Sequence, residues 1–148
     1  MTTDVTTPAR PIRVLCVDDD VFVLGLVQET LQGAGFEVQT AVDGAHALQK
    51  IALEDRPYEL IIADGRMPHL DGWGFIMQAR AGGFKGKIIV FSAYIDDDER
   101  KRYRALDIDR ILEKPPGAGE LLRTVNEVIA SGSRAARRRR APALKTPC

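Results

Sequence analysis

Cysteine, histidine and tryptophan are scarce in this chain of 148 residues, at two, two and one respectively. Two cysteines cannot build a disulfide framework, and Cys16 lies in the apolar run Val14-Leu15-Cys16-Val17, where a reduced thiol behaves as a small hydrophobe. His46 and His69 read as surface residues of a helix and a loop, remote from any cysteine, which argues against zinc. Long apolar runs are missing as well: the longest, Val21 to Val27, contains Gly25. The first eleven residues, Thr-rich and ending Pro8-Ala9-Arg10-Pro11, lack the apolar centre of a signal peptide. These absences predict a cytoplasmic protein without a membrane contact. Net charge is absent too, with 21 bases against 21 acids, but the zero joins unlike parts. Residues 131–148 hold Arg134, Arg137, Arg138, Arg139, Arg140 and Lys145 and no acid, so 15 bases face all 21 acids in the remainder.

What is present is a 45% hydrophobic chain, enough for one compact core. Short β-branched runs alternate with longer helix-period segments, the pattern of repeated β-α units in a parallel sheet. Five units fit, with strands predicted at Arg13 to Val17, Glu37 to Ala41, Leu60 to Ala63, Lys87 to Phe91 and Arg110 to Leu112. Val23, Leu26, Val27, Leu31 and Ala34 are spaced as the apolar stripe of a first helix, which Gly35 ends. Asp43-Gly44 opens a second helix, with Ala47, Leu48 and Ile51 inward and Pro57 marking its end; a third begins near Trp73. In the fourth, Asp96 to Leu106, acids precede bases, as the helix macrodipole favours. The last spans Glu120 to Ile129, before Ser131-Gly132-Ser133 releases the chain. The predicted organisation is a flexible lead over 1–11, one domain over 12–130 and a basic, disordered tail over 131–148. The tail shows no aromatic interleaving and no groove-reading helix, which argues against specific DNA binding.

Parallel strands joined by helices deliver their carboxyl ends to one edge of the sheet, where open α/β folds bind ligands. Asp18, Asp19 and Asp20 follow the first strand, Asp64 the third, Ser92 the fourth and Lys114 the fifth. Two carboxylates about 4 Å apart repel by about 4 kcal/mol at an effective dielectric near 20, so such a cluster calls for a cation. All-oxygen ligands with room for water select Mg²⁺, with Mn²⁺ as a substitute. The set suits phosphoryl transfer: Asp64 as nucleophile, needing no general base, with Lys114 and Ser92 meeting the phosphoryl oxygens. Asp20 reads as a helix cap, and Asp71-Gly72 as an ordinary turn pair shaping the loop with Met67-Pro68.

The segments Val14-Leu15-Cys16-Val17-Asp18-Asp19-Asp20, Leu60 through Gly72, Phe91-Ser92-Ala93 and Glu113-Lys114-Pro115, taken in order, resemble the receiver domain of bacterial two-component response regulators over residues 12 to 130. The resemblance implies a flavodoxin-like (CheY-like), doubly wound α/β fold with a five-stranded parallel sheet in the order 2-1-3-4-5 and five helices. It implies phosphorylation of Asp64 by a histidine kinase or a histidine phosphotransfer protein, with Asp18 and Asp19 as the metal-binding pair. By the same resemblance the backbone carbonyl of Arg66 completes the metal shell, Ser92 is the switch hydroxyl, and the Lys114-Pro115 bond is cis. The output expected is a phosphorylation-dependent contact with a downstream protein, and a phosphorylation-dependent dimer is compatible with it.

Four positions depart from the family pattern. Ile111 stands where many receivers carry Tyr or Phe, with Tyr94 and Tyr103 nearby as substitutes or as packing residues. Asp107-Ile108 replaces a common Gly-Ala, and Pro116 replaces an apolar residue. Other readings follow from other features. Asp18-Asp19-Asp20-Val21 fits the opening motif of haloacid-dehalogenase-type phosphatases, with Asp18 as nucleophile, but their late acidic pair is missing. A phosphorylation-independent docking module and a transcription factor lacking its output domain are the other two; the short tail favours a stand-alone receiver.

Overall fold

The computed structural model describes residues 10–114 and 117–131. Most of the predicted lead, the tail from 132 onward, the Lys114-Pro115 bond and Pro116 lie outside the described residues.

Strands β1 (Arg13–Val17), β2 (Glu37–Ala41), β3 (Leu60–Ala63), β4 (Lys87–Ser92) and β5 (Arg110–Glu113) alternate with helices α1 (Val21–Gly33), α2 (Gly44–Leu53), α3 (Gly72–Ala81), α4 (Asp97–Arg104) and α5 (Ala118–Ala130). The strands form one parallel sheet in the order β2-β1-β3-β4-β5, as expected. β1, β2 and β3 have the predicted bounds. β4 and β5 each run one residue further, because Ser92 pairs with Glu113 at the carboxyl edge.

Both faces of the sheet are covered, and the strand side chains divide between them with a period of two. Leu15, Val17, Ile61, Ala63, Ile88 and Val90 point to one side, against Ala47 of α2, Phe75 and Ile76 of α3 and Tyr103 of α4. Val14, Cys16, Leu60, Ile62, Ile89 and Phe91 point to the other, against Leu24, Val27 and Leu31 of α1 and Leu121, Val125 and Val128 of α5. Each buried Val, Leu, Ile or Phe among them contributes about 1.5–3 kcal/mol by leaving water.

The stripe of α1 differs from the prediction. Leu24, Val27 and Leu31 are its buried residues, while Leu26 and Ala34 are exposed. Spacing of three and four permits either phase, and packing against the sheet selects the one that carries Leu24; Asp20 caps the helix, accepting from Phe22 N–H at 2.9 Å. The charge order of α4 takes the expected form and includes a full capping box between Asp96 and Glu99. Asp107, where the family pattern has glycine, adopts φ +63°, a left-handed conformation that Asp tolerates better than branched residues do. The departure from Gly-Ala thus keeps the turn into β5.

Asp71-Gly72 is more than an ordinary turn. Asp71 caps α3, accepting from Gly74 N–H at 2.8 Å. Gly72 N–H donates to the Gly65 carbonyl at 3.2 Å. A Cβ on Gly72 would lie 2.3 Å from the Asp64 carbonyl oxygen and 2.8 Å from Gly65 Cα, so two backbones meet where no side chain fits. Gly72→Ala should therefore cost about 1–3 kcal/mol in a denaturant titration. A variant as stable as the wild type would show that this close approach does not constrain the loop.

Candidate functional site

The sheet's own hydrogen bonds carry the polar residues to the carboxyl edge. Asp18 N–H donates to Ala41 O at 3.1 Å, Asp64 N–H to Val17 O at 2.9 Å and Lys114 N–H to Ser92 O at 2.8 Å. Each of these residues therefore continues the ladder of its strand before its side chain turns over the edge.

Asp18, Asp19 and Asp64 each place a carboxylate oxygen within 4.8 Å of the others. Among the described residues they are the one group of acids, imidazoles and thiols close enough to share a cation. Asp18 is buried, and both of its oxygens are engaged: Oδ1 accepts from Asp20 N–H at 2.9 Å and Oδ2 from Lys114 Nζ at 2.7 Å. Asp64 is buried at 6% exposure. Its two contacts fall on Oδ1, from Arg66 N–H at 3.2 Å and Lys114 Nζ at 3.5 Å. Asp19 is exposed and opens the cluster to solvent.

Burial and the neighbouring Asp18 push the Asp64 carboxyl up to about 6 from 3.8; the Arg66 N–H and Lys114 oppose the rise without cancelling it, and Asp19 adds to it. Burial works against the Lys114 charge, but Asp18 and Asp64 outweigh it and hold its pKa above the ordinary lysine value. One ammonium thus faces three carboxylates, and the excess negative charge with all-oxygen donors fits a hard divalent cation such as Mg²⁺.

The remaining expected residues are also placed. Ser92 is buried, and its hydroxyl donates to the Tyr94 carbonyl at 3.2 Å. Arg66 extends outward to Glu99 at 3.2 Å and lies 6.0 Å from the centre of the Tyr94 ring. Its backbone N–H donates to Asp64 Oδ1. His46 and His69 are exposed, Asp20 serves as a cap, and burial pushes the Cys16 thiol up, so none of these joins the cluster. Sequence reasoning underrated Tyr103. It is 2% exposed, and its hydroxyl approaches the Gly65 carbonyl at 3.5 Å. Its signal was in plain sight, since it is the one non-charged residue of α4.

A model of the family described as the response regulator receiver domain matches residues 14–126. The chain belongs to this family. Among curated proteins, this receiver is 40% identical over 129 residues to the transcriptional regulatory protein PrrA of Mycobacterium tuberculosis, covering 87% of this chain and 53% of that one. It is 36% identical to the response regulator MprA of Mycolicibacterium vanbaalenii, covering 80% and 51%. The receiver thus spans about half the length of these relatives. Among solved structures, chemotaxis protein CheY4 of Vibrio cholerae matches with a TM-score of 0.71 and 31% identity over 80% of this chain and 98% of that one. Response regulator TrrA of Thermotoga maritima, solved in complex with Mg²⁺-BeF, matches with 0.68 and 31%, over 78% and 97%. The expectation against DNA binding finds no support here, because PrrA is itself named as a transcriptional regulator. Among the described residues, no helix is long and apolar enough to cross a membrane.

The raised carboxyl has a consequence for stability. The folded receiver binds the Asp64 proton more tightly than an unfolded chain does, so without metal the ionised form works against the fold. Asp64→Asn should melt higher than the wild type in chelator at about pH 7.5. The gap should narrow as pH falls through about 6 and close by the ordinary 3.8. Saturating Mg²⁺ should remove most of the gap by stabilising only the wild type. A gap that is flat across this range would show that the proton is not so held.

Proposed function

We propose that this receiver accepts a phosphoryl group on Asp64 from a phosphohistidine donor, in a Mg²⁺-dependent reaction, and signals through a phosphorylation-dependent protein contact. The observation that carries this reading is the unequal engagement of the two buried aspartates. Asp18 has both oxygens occupied by Asp20 N–H and Lys114, whereas the contacts of Asp64 fall on Oδ1 alone. Oδ2 of Asp64 is then the attacking atom. An O–P bond forms as the N–P bond of the donor breaks, and the electron pair returns to the imidazole nitrogen.

Asp18, Asp19, Asp64 and the Arg66 carbonyl would hold Mg²⁺, or Mn²⁺ in its place, which supplies charge neutralisation at a phosphoryl oxygen. Lys114, held over the cluster by Asp18, meets a second oxygen as a point charge, and the Ser92 hydroxyl turns from Tyr94 O to meet a third. The same engagement of Asp18 disfavours it as the nucleophile of a phosphatase. Asp64 is the transfer site and the switch, and the protein assists its own phosphorylation and dephosphorylation rather than turning over a metabolite. A sensor histidine kinase or a histidine phosphotransfer protein fits as donor. Val21 and Phe22, 63% and 85% exposed beside the acidic turn, offer it an apolar landing at the same edge.

With acetyl phosphate and Mg²⁺, the wild type should gain the mass of one phosphoryl group, and Asp64→Ala should not. Peptide mapping that placed the group on Asp18 would favour the phosphatase reading instead. Phe22→Ala should slow transfer from a protein donor while leaving the acetyl phosphate reaction unchanged; equal slowing of both would remove the docking role.

Arg66, two residues after the acceptor, and Tyr94, whose carbonyl accepts from Ser92, lie with guanidinium and ring 6.0 Å apart, and we read this pair as limiting the approach of water to the acyl phosphate. Self-dephosphorylation should therefore be slow. The double variant Arg66→Ala/Tyr94→Ala should shorten the lifetime about tenfold, equivalent to about 1.4 kcal/mol of barrier. Loss of the label from the wild type within seconds would contradict this.

A further inference from the structure

At the amino end of the sheet, the edge away from Asp64, the segments leading into β3 and β4 and the last turn of α5 border a cavity of about 690 Å³. Ile51, Pro57, Tyr58, Phe84 and Ile129 give it an apolar lining. Tyr58 is 3% exposed, and its hydroxyl is buried with no hydrogen-bond partner among the described residues. Arg13 does not supply one. Its guanidinium lies over the Tyr58 ring, 4.4 Å from the centre, and is committed to Glu37, Glu54 and the Arg56 carbonyl. A buried hydroxyl in this condition is costly, and a polar group brought into the cavity would meet it.

The charged residues around the cavity are Glu54, Asp55, Glu59, Lys85 and Lys87, and they are unequally engaged. The Lys87 ammonium donates to the Val128 carbonyl at 2.9 Å and to the Ser131 hydroxyl at 2.7 Å. This pair of bonds holds the end of α5, and with it the point where the chain leaves the domain, against the cavity wall. Glu54 is tied to Arg13, and Glu59 accepts from the Arg13 N–H through Oε1 at 3.0 Å. Asp55 is exposed and has no ion pair among the described residues. With Glu54 tied to Arg13 and Lys87 turned to α5, Asp55 and Glu59 outnumber Lys85, and the rim favours a cation.

We propose that the arginine-rich segment 134–140 of this same chain docks in the cavity. The segment lies outside the described residues, but its attachment at Ser131 does not. Three residues, at most about 10 Å, reach Arg134, and nine, at most about 30 Å, reach Arg140. The apolar stems of arginines suit Pro57, Tyr58 and Phe84, while their guanidinium forks offer donors to Asp55, Glu59 and the Tyr58 oxygen. A tether this short raises the effective concentration of the segment, so a modest charge imbalance suffices to hold it. The docked arginines are thereby withheld from other anionic groups. The cavity is remote from the acceptor edge, so its occupation does not depend on the chemistry of Asp64.

The test uses the full chain labelled with ¹³Cζ-tyrosine and ¹⁵N, with the three tyrosine resonances (Tyr58, Tyr94, Tyr103) assigned by single Tyr→Phe variants. It is compared with a full-length variant in which Arg134, Arg137, Arg138, Arg139 and Arg140 are all changed to Gln. At low ionic strength the Tyr58 resonance and the amides of Gly82, Gly83 and Gly86 should differ between the two, while Tyr94 and Tyr103 coincide. The difference should vanish at about 1 M salt, where the Debye length is about 3 Å. Asp55→Lys should remove most of it, and adding the five arginine changes to Asp55→Lys should then alter little. Tenfold dilution should leave it unchanged. Coincident Tyr58 resonances at low salt, or differences spread evenly over the domain, would overturn the inference. A difference that fades on dilution would give the cavity to the segment of a second copy and overturn docking within one chain.

Discussion

The ammonium of Lys114, 2.7 Å from Asp18 and 3.5 Å from Asp64, is the contact on which the carboxyl edge of this molecule depends. Three carboxylates converge there, two of them buried, and the low exposure that makes the site useful also makes it costly. Lys114 offsets part of that cost and ties the ends of three strands, β1, β3 and β5, to one point. The offset is incomplete, as the raised Asp64 carboxyl shows. A fully balanced cluster would hold its charges at rest and attract neither a cation nor a phosphoryl group. The residual imbalance is what gives the edge an affinity for positive charge.

Around this point the backbone is packed as tightly as the side chains. Gly72 lies against the Asp64 carbonyl, and Gly65 leaves room for the hydroxyls of Ser92 and Tyr103. Two residues without side chains thus bring the start of α3 and the body of α4 into contact with the loop after Asp64. A rigid sheet supplies the position of Asp64, while this loop is held by a few polar contacts of moderate length. Such a division, with a fixed site on an adjustable neighbour, is what a two-state element requires.

Much of this was legible in the residues. The central apolar runs predicted β1 and β3 to the residue and β4 to within one, because a strand buried on both faces carries a continuous apolar signal and polar residues mark its end. For the same reason the acids, the hydroxyl and the lysine could be assigned to one edge before their distances were known. Periodicity served α1 less well, since Leu24 and Leu26 both fit spacings of three and four, and only packing against the sheet, which a local window does not contain, decides between them. Gly72 read as turn chemistry because nothing in a local window announces that another segment's backbone will press against it. Tyr103 was discounted for a related reason. A lone aromatic in a charged helix indicates burial, but not which atoms its hydroxyl will meet.

Ile111 bears on how the parts of such a fold depend on one another. Ile111 on β5 and Tyr103 on α4 contribute to one core cluster, and in a close-packed interior the size of one bears on the space left to the other. The strand contributes a branched aliphatic to that cluster and the helix a ring, Tyr103, which is 2% exposed. The two positions are therefore a single choice in packing terms, and reading either alone misjudges it. Ile111 by itself suggested a receiver that had lost its reporter. Together with Tyr103 it describes one whose buried phenolic hydroxyl approaches the Gly65 carbonyl from α4, a helix whose exposed face is charged.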